Sequence, residues 1–303
     1  MSASPAARAP GWRDYVDLTK PFITLLIVAV AVAGYFVALP NRIDPGRLVL
    51  LVICGAAASG GAATLNHYFD RDLDARMRRT RGRPLPTERI APEGRVLAIG
   101  LALSVLGIGG AAVFLNLLTG FSILLGSITY VLVYTVWLKR RTSWNIVIGG
   151  FAGSAPALAG SAAAVGHWTD GALALALLVF LWTPPHFWSL ALMLREDYRA
   201  VGLPMLPRMD DPAYSAKVTV ISCALLVPAT VLLAVVGPIA WPAIVALLAV
   251  GVLFLVSELP LWRHSDRKAA LRGFLVSGPY LLAVIGVLIL NWVLVRGVSA
   301  VGG

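Results

Sequence analysis

The stretch that decides the fold runs from residue 48 to residue 86, "LVLLVICGAAASGGAATLNHYFDRDLDARMRRTRGRPLP". Its first part, 48–65, carries no charge over 18 residues, which is about the length that a membrane-spanning helix needs. The remainder, from residue 66 on, holds three aspartates and six arginines. A spanning helix that runs directly into a dense charged segment predicts a membrane protein with polar chemistry at one membrane face.

The rest of the chain repeats the apolar half of this pattern. Of its 303 residues, 58% are hydrophobic and only 13% are charged, about half of the charged fraction in ordinary soluble domains. The apolar runs are continuous rather than alternating, which favours helices over transmembrane strands. We therefore predict an all-α integral membrane protein with nine transmembrane helices, at 22–39, 48–65, 96–115, 118–138, 144–164, 171–192, 218–237, 240–257 and 274–295.

The basic residues are distributed unequally between the two sides that these spans define. One side receives 22 of the 25 lysines and arginines, whereas the other keeps only Arg42, Arg47 and Arg296. Because basic loops stay in the cytoplasm, this asymmetry predicts a cytoplasmic N-terminus and an outside C-terminus. It also explains the net charge of +10 without a nucleic-acid partner. The basic segments are 1–21, 66–95, 139–143, 193–217 and 258–273.

The predicted spans and the charge distribution also indicate the domain organisation and the cellular location. We expect a cytoplasmic N-terminal segment at 1–21, one membrane domain at 22–295 and a short tail at 296–303. Asp14 and Asp17 in the leader argue against a mitochondrial transit peptide. The bacterial plasma (inner) membrane is therefore favoured, with the lipid bilayer as solvent and the active site on the cytoplasmic side, where the long polar loops lie.

Three oxygen-bearing side chains follow the second span at helical spacing. Asn66, Asp70 and Asp74 stand at i, i+4 and i+8, so a helix that continues past Leu65 places them on one face. Two carboxylates and an amide suit Mg²⁺, which takes few protein ligands and completes its shell with water and phosphate oxygens. The alternative is a solvated helix whose acids balance its arginines. Asp72 lies off this face, where it is expected to pair with Arg76.

Basic clusters surround this predicted metal site in the sequence. They would bind a diphosphate beside the metal, or they would serve only as the positive anchor of the topology. The second long loop, "LREDYRAVGLPMLPRMDD" (194–211), begins where span six ends, and its Asp197 is expected to sit much as Asp70 does on span two. Further carboxylates in that loop are Glu196, Asp210 and Asp211. The basic residues are Lys20, Arg78, Arg79, Arg81, Arg83, Lys139, Arg140 and Arg141.

Two histidines are candidates for substrate contact. His186 lies in "WTPPHFW" (182–188) within a span, where an ionisable residue is a functional candidate. It would either contact a porphyrin or ligate its iron, or be a hydrogen-bonded core histidine. His67 borders the aspartate face and either touches the substrate or is solvated. Trp182 would stack on a planar ligand or simply pack.

Three motifs together resemble a known family. "NHYFDRDLDARMRRTRGRP" (66–84), "WTPPHFWSLAL" (182–192) and "REDYRAVGLPMLP" (195–207) look like those of the UbiA-type intramembrane prenyltransferases, and within them the heme O synthases. "LTKP" (18–21) and "YTVWLKRRTSWNIVIGGFAGSAP" (134–156) are also similar to that superfamily. The resemblance extends from about residue 14 to residue 295.

The resemblance implies a nine-helix fold around a central cavity and Mg²⁺-dependent transfer of a farnesyl group from farnesyl diphosphate to a vinyl group of heme b. Water adds, and heme O and diphosphate form. Val201 departs from the D-x-x-x-D form of the second motif, which leaves the ligands of a second metal open. The implied catalytic residues are Asn66, Asp70 and Asp74, with Asp197 as a further metal ligand; diphosphate would bind Lys20, Arg81, Arg83, Lys139 and Arg140, and heme or other substrate His186, His67, Trp182 and Asn145.

Other functions remain open at the level of the residues. An aromatic prenyltransferase of the same fold, acting on a ring such as 4-hydroxybenzoate, would need the same metal site. A transporter would instead show charged residues deep in its spans or paired broken helices. The resemblance also allows a partner that consumes the product, either a downstream heme-modifying enzyme or a terminal oxidase.

Overall fold

The computed structural model describes residues 10–205 and 211–299, with the side chains of 297–299 left aside. These residues form helices, turns and short connections, and no strand occurs among them. The helices are α1 (Trp12–Leu18), α2 (Pro21–Val37), α3 (Pro45–Arg76), α4 (Gly94–Phe114), α5 (Leu117–Ile128, continued as a π-helical segment over Thr129–Leu138), α6 (Asn145–Gly149), α7 (Phe151–Val165), α8 (Asp170–Met193), α9 (Arg195–Ala200), α10 (Pro212–Ala224), α11 (Leu226–Val236), α12 (Trp241–His264) and α13 (Arg267–Ser299).

Every predicted span falls on one or two of these helices, which confirms an all-helical, multi-pass membrane protein. Within the described residues, eight segments are long and apolar enough to cross a membrane on their own. The first predicted span, 22–39, corresponds to α2, which has 17 residues. It meets the same criterion only together with α1, from which it is bent by 46°. The count of nine spans therefore stays a prediction.

α3 extends well beyond the apolar window that predicted it. It begins after Asp44, whose carboxylate accepts a hydrogen bond from the Arg47 backbone N–H at 3.0 Å, with Pro45 in the first helical position. Both features favour helix initiation. The helix then continues through the charged segment as far as Arg76, for 32 residues in all. It thus carries the apolar core and the aspartate face on one rigid element.

α2 and α7 approach closely because glycines line their contact. A Cβ atom on Gly34 would collide with the backbone of Ala157, and one on Gly160 would collide with the backbone of Ala31. Small residues allow such close approach of helix backbones in lipid. This packing fixes the position of α7 behind α2 at the centre of the bundle.

A central cavity of about 260 Å³ lies among α2, α3, α5, α7 and α8, which confirms the cavity that the resemblance implies. Its walls are formed mainly by alanine, glycine, leucine and isoleucine side chains. The larger polar or aromatic side chains that reach it include Tyr130, Tyr134, Trp182 and His186. The cavity is therefore an apolar chamber with a few polar groups at defined positions.

Glu258 is one residue that the sequence analysis assigned wrongly. We expected it in the cytoplasmic segment 258–273, but α12 continues to His264 and only two residues separate it from α13. Glu258 is 0% exposed, and the Ser189 hydroxyl donates to its Oε1 atom at 3.4 Å. Pro260 lies inside the helix without ending it, so the apolar window was shorter than the helix.

Candidate active site

The predicted oxygen-rich face of α3 is present and buried. Asn66, Asp70 and Asp74 are 3%, 1% and 3% exposed, respectively. The Asn66 side-chain amide donates to Asp70 Oδ2 at 2.7 Å. Three polar groups have thus been removed from water at the end of an apolar helix, where burial is unfavourable unless partners compensate.

Basic side chains from other parts of the chain provide this compensation. Lys139 Nζ lies 2.5 Å from Asp70 Oδ2, and Arg83 Nη1 lies 2.7 Å from Asp74 Oδ2. Lys20 Nζ donates to Asn66 Oδ1 at 2.5 Å. The three cations come from the start of α2, the loop after α3 and the end of α5. The structure therefore joins Lys20, Arg83 and Lys139 to the α3 face, while their role in binding diphosphate stays a prediction.

The position of Lys20 depends on a sharp bend of the chain. Its backbone is left-handed, with φ at 46°, and it lies in the break between α1 and α2. Left-handed backbone is uncommon for a residue with a side chain. The bend is supported from the other side by Asp14 of α1, which forms an ion pair with Arg89 at 2.5 Å. Lys20 is thereby directed to the site, where it contacts Asn66.

The π-helical end of α5 brings two more groups to the site and orients Lys139 toward it. Lys20 Nζ donates to the Tyr130 hydroxyl at 3.1 Å, and the Asn66 amide donates to Thr135 Oγ1 at 3.0 Å. At 3.6 residues per turn, residues five and nine positions apart would be offset by about 140° and about 180°. The wider i→i+5 turn, seen in the Lys139 N–H bond to the Tyr134 carbonyl at 2.8 Å, places Tyr130, Thr135 and Lys139 on one face. π-Helical turns are frequently found at functional sites.

Free acceptor capacity remains at the centre of this cluster. Asp70 Oδ1 is buried and accepts no hydrogen bond from the described residues; its nearest ion-pair partner is Arg140 Nη2, at 4.0 Å. An orphaned carboxylate oxygen of this kind is unfavourable unless something binds it. No three acidic, histidine or cysteine side chains within 10–205 and 211–299 form a group that could hold a metal by themselves. One or two carboxylates fit Mg²⁺, which fills the rest of its shell with water and substrate phosphate.

Asp72 does not pair with Arg76 as predicted. Both of its carboxylate oxygens accept hydrogen bonds from Arg140, at 2.6 and 2.7 Å. Asp72 hydrogen-bonds Arg140 and thereby raises the pKa of the guanidinium above its usual value. Arg140 comes from a distant segment and binds Asp72 through two parallel bonds, a geometry that its planar guanidinium allows. Arg140 therefore lies at the rim of the site, shared between Asp72 and Asp70.

Two predicted residues are not joined to the cluster. Arg81 is exposed, and in the part of the chain that the structure describes no hydrogen bond or ion pair connects it to the aspartates. Asp197 does not sit as Asp70 does, because α8 ends at Met193 and Asp197 belongs to the short helix α9. No hydrogen bond connects Asp197 to Asn66 or to either α3 carboxylate among the described residues. Asp210 lies outside the described residues, and Asp211 caps α10 by accepting from the Tyr214 backbone N–H at 2.9 Å.

His186 lines the cavity with a defined ring orientation. Its ring stacks between Trp182 and Phe274, with centroids 4.5 and 4.9 Å away. Its Nδ1 atom lies 2.6 Å from Ser277 Oγ. That hydroxyl already donates to the Phe274 carbonyl at 2.7 Å, and a hydroxyl has one proton. Nδ1 must therefore be the donor, which leaves the Nε2 lone pair of the neutral ring free to accept a proton or to bind a metal.

Trp182 has a packing role in addition to its place in the cavity wall. Its indole N–H donates to the Ser277 carbonyl at 3.0 Å, so α8 and α13 are joined at the same level by Trp182 and His186. His186 is thus both a cavity residue and a hydrogen-bonded packing residue. The two interpretations of this histidine that the sequence left open are compatible.

His67 and Asn145 differ in what surrounds them. His67 is buried, and neither of its ring nitrogens has a partner among the described residues; Lys20, Arg83 and Lys139 are near enough to act on it electrostatically. Asn145 donates to the carbonyls of Thr142 and Pro204, each at 2.8 Å. Asn145 therefore links two loops beside the site, while its Oδ1 atom has no partner in the part of the chain that the structure describes.

Four further site residues carry little signal in the sequence: Tyr130, Tyr134, Thr135 and Ser277. Each lies inside an apolar span, where isolated hydroxyl groups are common and carry no spacing signal. Tyr130 and Tyr134 are four residues apart and stack with interplanar angle 9°. The pairing of two tyrosines one turn before Lys139 was the one available sign of a polar face.

Comparison with known proteins agrees with this architecture. Residues 26–285 match the UbiA prenyltransferase family. The chain is 40% identical over 286 residues to protoheme IX farnesyltransferase 1 of Cenarchaeum symbiosum, covering 93% of this chain and 96% of that protein. It is 39% identical to protoheme IX farnesyltransferase 1 of Pseudomonas putida, covering 96% of this chain and 98% of that protein.

Solved structures share the fold at lower sequence identity. A digeranylgeranylglyceryl phosphate synthase aligns with a TM-score of 0.75 at 17% identity, over 93% of this chain and 98% of that one. A UbiA homologue from Archaeoglobus fulgidus bound to GPP and Mg²⁺ aligns with a TM-score of 0.67 at 16% identity, over 91% and 99% of the two chains. With a buried aspartate face, a central cavity and a match over most of its length, the chain belongs to the UbiA prenyltransferase family.

Proposed function

We propose that this protein is a protoheme IX farnesyltransferase, which transfers the farnesyl group of farnesyl diphosphate to a vinyl group of heme b with addition of water. The products are heme O and diphosphate. The proposal is supported by relatives of that name at about 40% identity over nearly the whole chain. The structural observation that supports this function most strongly is the buried face of Asn66, Asp70 and Asp74, surrounded by three cations.

The polar cluster is suited to binding a diphosphate. Lys20, Arg83 and Lys139 converge on the α3 face from three directions, and each can turn a donor toward a phosphate oxygen. Diphosphate leaves with the electron pair of the carbon–oxygen bond, so positive groups fixed in place before the reaction stabilise the charge that develops. Mg²⁺, when bound through Asp70 and Asp74, would neutralise further charge on the leaving diphosphate.

The ion pairs of Lys139 and Arg83 also affect how the metal and the diphosphate bind. Each of these cations is held by a carboxylate, at 2.5 and 2.7 Å. Binding of an anion and a divalent cation would exchange these ion pairs for contacts to the ligands, so no buried charge is left alone. The arrangement therefore favours binding of the metal and the diphosphate together over binding of either one.

The apolar cavity supplies the second requirement, a dry space for an allylic cation. Its walls are mainly aliphatic, and Tyr130 connects it to the cluster through its bond from Lys20. The farnesyl chain would extend into this cavity with its reactive carbon near the tyrosines. Exclusion of bulk water prevents hydrolysis before the heme vinyl carbon forms the new carbon–carbon bond. Water then supplies the hydroxyl group and releases a proton.

His186 is the candidate heme contact. Its ring is fixed by Trp182, Phe274 and Ser277, the residue lines the cavity, and no described residue forms a hydrogen bond with its Nε2 atom. Histidine is a common axial ligand of heme iron. Such a group is expected for a porphyrin acceptor and is not needed for a simple phenol, so it favours heme over 4-hydroxybenzoate.

We further propose that the enzyme resides in the bacterial plasma membrane with nine spans, the N-terminus and the site on the cytoplasmic side and the C-terminus outside. The positive-inside distribution of lysine and arginine supports this orientation. A heme-modifying enzyme or a terminal oxidase would receive the product.

A direct test offers the purified protein both acceptors with farnesyl diphosphate and Mg²⁺. We expect farnesylated heme and no prenylated 4-hydroxybenzoate. Prenylation of 4-hydroxybenzoate alone would be consistent with the assigned metal site but would contradict heme b as the acceptor. If neither product forms while a labelled solute crosses vesicles containing the protein, the transporter alternative would replace the enzyme.

A further inference from the structure

A second cavity lies on the outer surface of the bundle, away from the site described above. It is a groove of about 850 Å³ between α10 and α12, to which α13 contributes Arg272. Most of its lining is aliphatic, from Val220 and Ile221 on α10 to Leu255 and Leu259 on α12. Ile221 and Leu259 are about half exposed, so the groove opens outward to the surrounding lipid.

Positive charge is concentrated at one end of this groove. Arg263 and His264 end α12, and Arg272 lies on the first turns of α13; all three line the groove and are exposed. Neither arginine forms an ion pair with a carboxylate in the ranges that the structure describes. Asp266, the acid in the intervening turn, instead accepts from the Ala269 backbone N–H at 2.7 Å. Trp262 also lines the groove at this level, as expected at a membrane–water interface.

We propose that this groove is a binding site for an anionic phospholipid, with its acyl chains along α10 and α12 and its phosphate between Arg263 and Arg272. Basic pockets between transmembrane helices on the cytoplasmic side are suited to acidic head groups. The aliphatic wall can contact lipid acyl chains, but it offers neither charge nor hydrogen-bond donors to a free anion. The proposal is independent of the proposed function, since none of its residues belongs to the prenyl-transfer site.

The chain itself provides the control for this assignment. Arg267 and Lys268 lie in the same short segment between Arg263 and Arg272, yet neither lines the groove. If the positive charge served only the topology, all four residues would contribute equally to attraction of acidic lipid. If the groove is a site, Arg263 and Arg272 must contribute far more.

The test is native mass spectrometry of the full-length protein in detergent, titrated with phosphatidylglycerol or phosphatidylethanolamine of identical acyl chains. We expect selective retention of phosphatidylglycerol. The variant with Arg263→Gln and Arg272→Gln should bind it about 25-fold more weakly, from about fivefold for each basic residue near an anionic head group. The variant with Arg267→Gln and Lys268→Gln should change the affinity less than about threefold. Equal losses in the two variants, or equal binding of the two lipids by the wild type, would overturn the proposal.

A second pair of variants tests the apolar wall without changing charge. Leu259→Trp fills the groove and should reduce phosphatidylglycerol binding at least fivefold, whereas Leu253→Trp, on an exposed part of α12 outside the groove, should not. Glycerol phosphate should fail to displace the lipid. Displacement by this soluble head group would indicate a free-anion site, and a dimer that forms only in lipid-free wild type would indicate a second copy as the occupant; either result contradicts the proposal.

Discussion

Substitution of Asp70 by asparagine tests whether the buried carboxylate is needed for chemistry rather than for the fold. Asparagine keeps the shape of the side chain and one oxygen, so it can still accept a hydrogen bond from Lys139. It removes the negative charge that Lys139 faces at 2.5 Å and one of the oxygens that a metal would bind. Removal of one partner of a buried ion pair costs about 3–5 kcal/mol. Because Lys139 remains 16% exposed and can extend toward water, we expect the lower end of that range.

The expected loss of activity is larger than this loss of stability. A fixed group that stabilises developing charge typically contributes a factor of about 10²–10³ to kcat. Asp70→Asn should therefore reduce farnesyl transfer at least 100-fold at saturating substrate, while the purified protein still unfolds in one cooperative transition. The assay is farnesylated heme formed per unit time, with the thermal unfolding midpoint measured on the same sample.

Asp72→Asn is the matched control, since it makes the same chemical change two residues away on the same helix. Asp72 is 55% exposed and pairs with Arg140 at the rim, and exposed ion pairs contribute about 0–1 kcal/mol. We expect less than about a fivefold change in rate, consistent with that small energy. Equal damage by the two substitutions, or more than a tenth of wild-type turnover in Asp70→Asn, would refute the role assigned to the α3 face.

The remaining predictions concern the heme contact and the bundle. His186→Phe keeps a ring between Trp182 and Phe274 but loses Nε2. The affinity for heme b, measured by absorbance titration, should therefore fall at least tenfold, while the affinity for farnesyl diphosphate stays unchanged. Equal heme binding by the variant and the wild type would show that His186 is a packing residue only. Gly34→Val should lower the free energy of unfolding by about 1–3 kcal/mol, the usual cost of overpacking, because its Cβ would collide with α7. Gly109→Val, where a Cβ meets open space, should leave the unfolding temperature nearly unchanged.

The membrane fold was largely predictable because one property of the sequence, the length of its uncharged hydrophobic segments, determines it. Long uncharged segments mark the spans, and each predicted window falls on a helix. The ends were less predictable, since a helix does not stop where hydrophobicity stops. α3 continues to Arg76, and α12 passes through Glu258, which a hydropathy window places in a loop.

The site was predictable in part for a similar reason. The spacing of Asn66, Asp70 and Asp74 is a local, helical property and was confirmed as one buried face. The partners are contacts between distant segments, and no spacing reveals them: Asp72 binds Arg140 rather than Arg76, and Thr135 reaches Asn66 only because the end of α5 is π-helical. The assignment of Asp197 as a metal ligand remains a prediction, and its expected placement by analogy with Asp70 was wrong because α8 ends four residues earlier.

Farnesyl transfer to heme b can be measured directly, as the mass of the heme after incubation of the purified protein with farnesyl diphosphate and Mg²⁺. We expect a new heme whose mass increases by one farnesyl group and one hydroxyl group, made by the wild type, absent with EDTA and nearly absent with Asp70→Asn. Unchanged heme under all conditions would contradict the proposed function. A product that forms equally with EDTA would contradict the metal site.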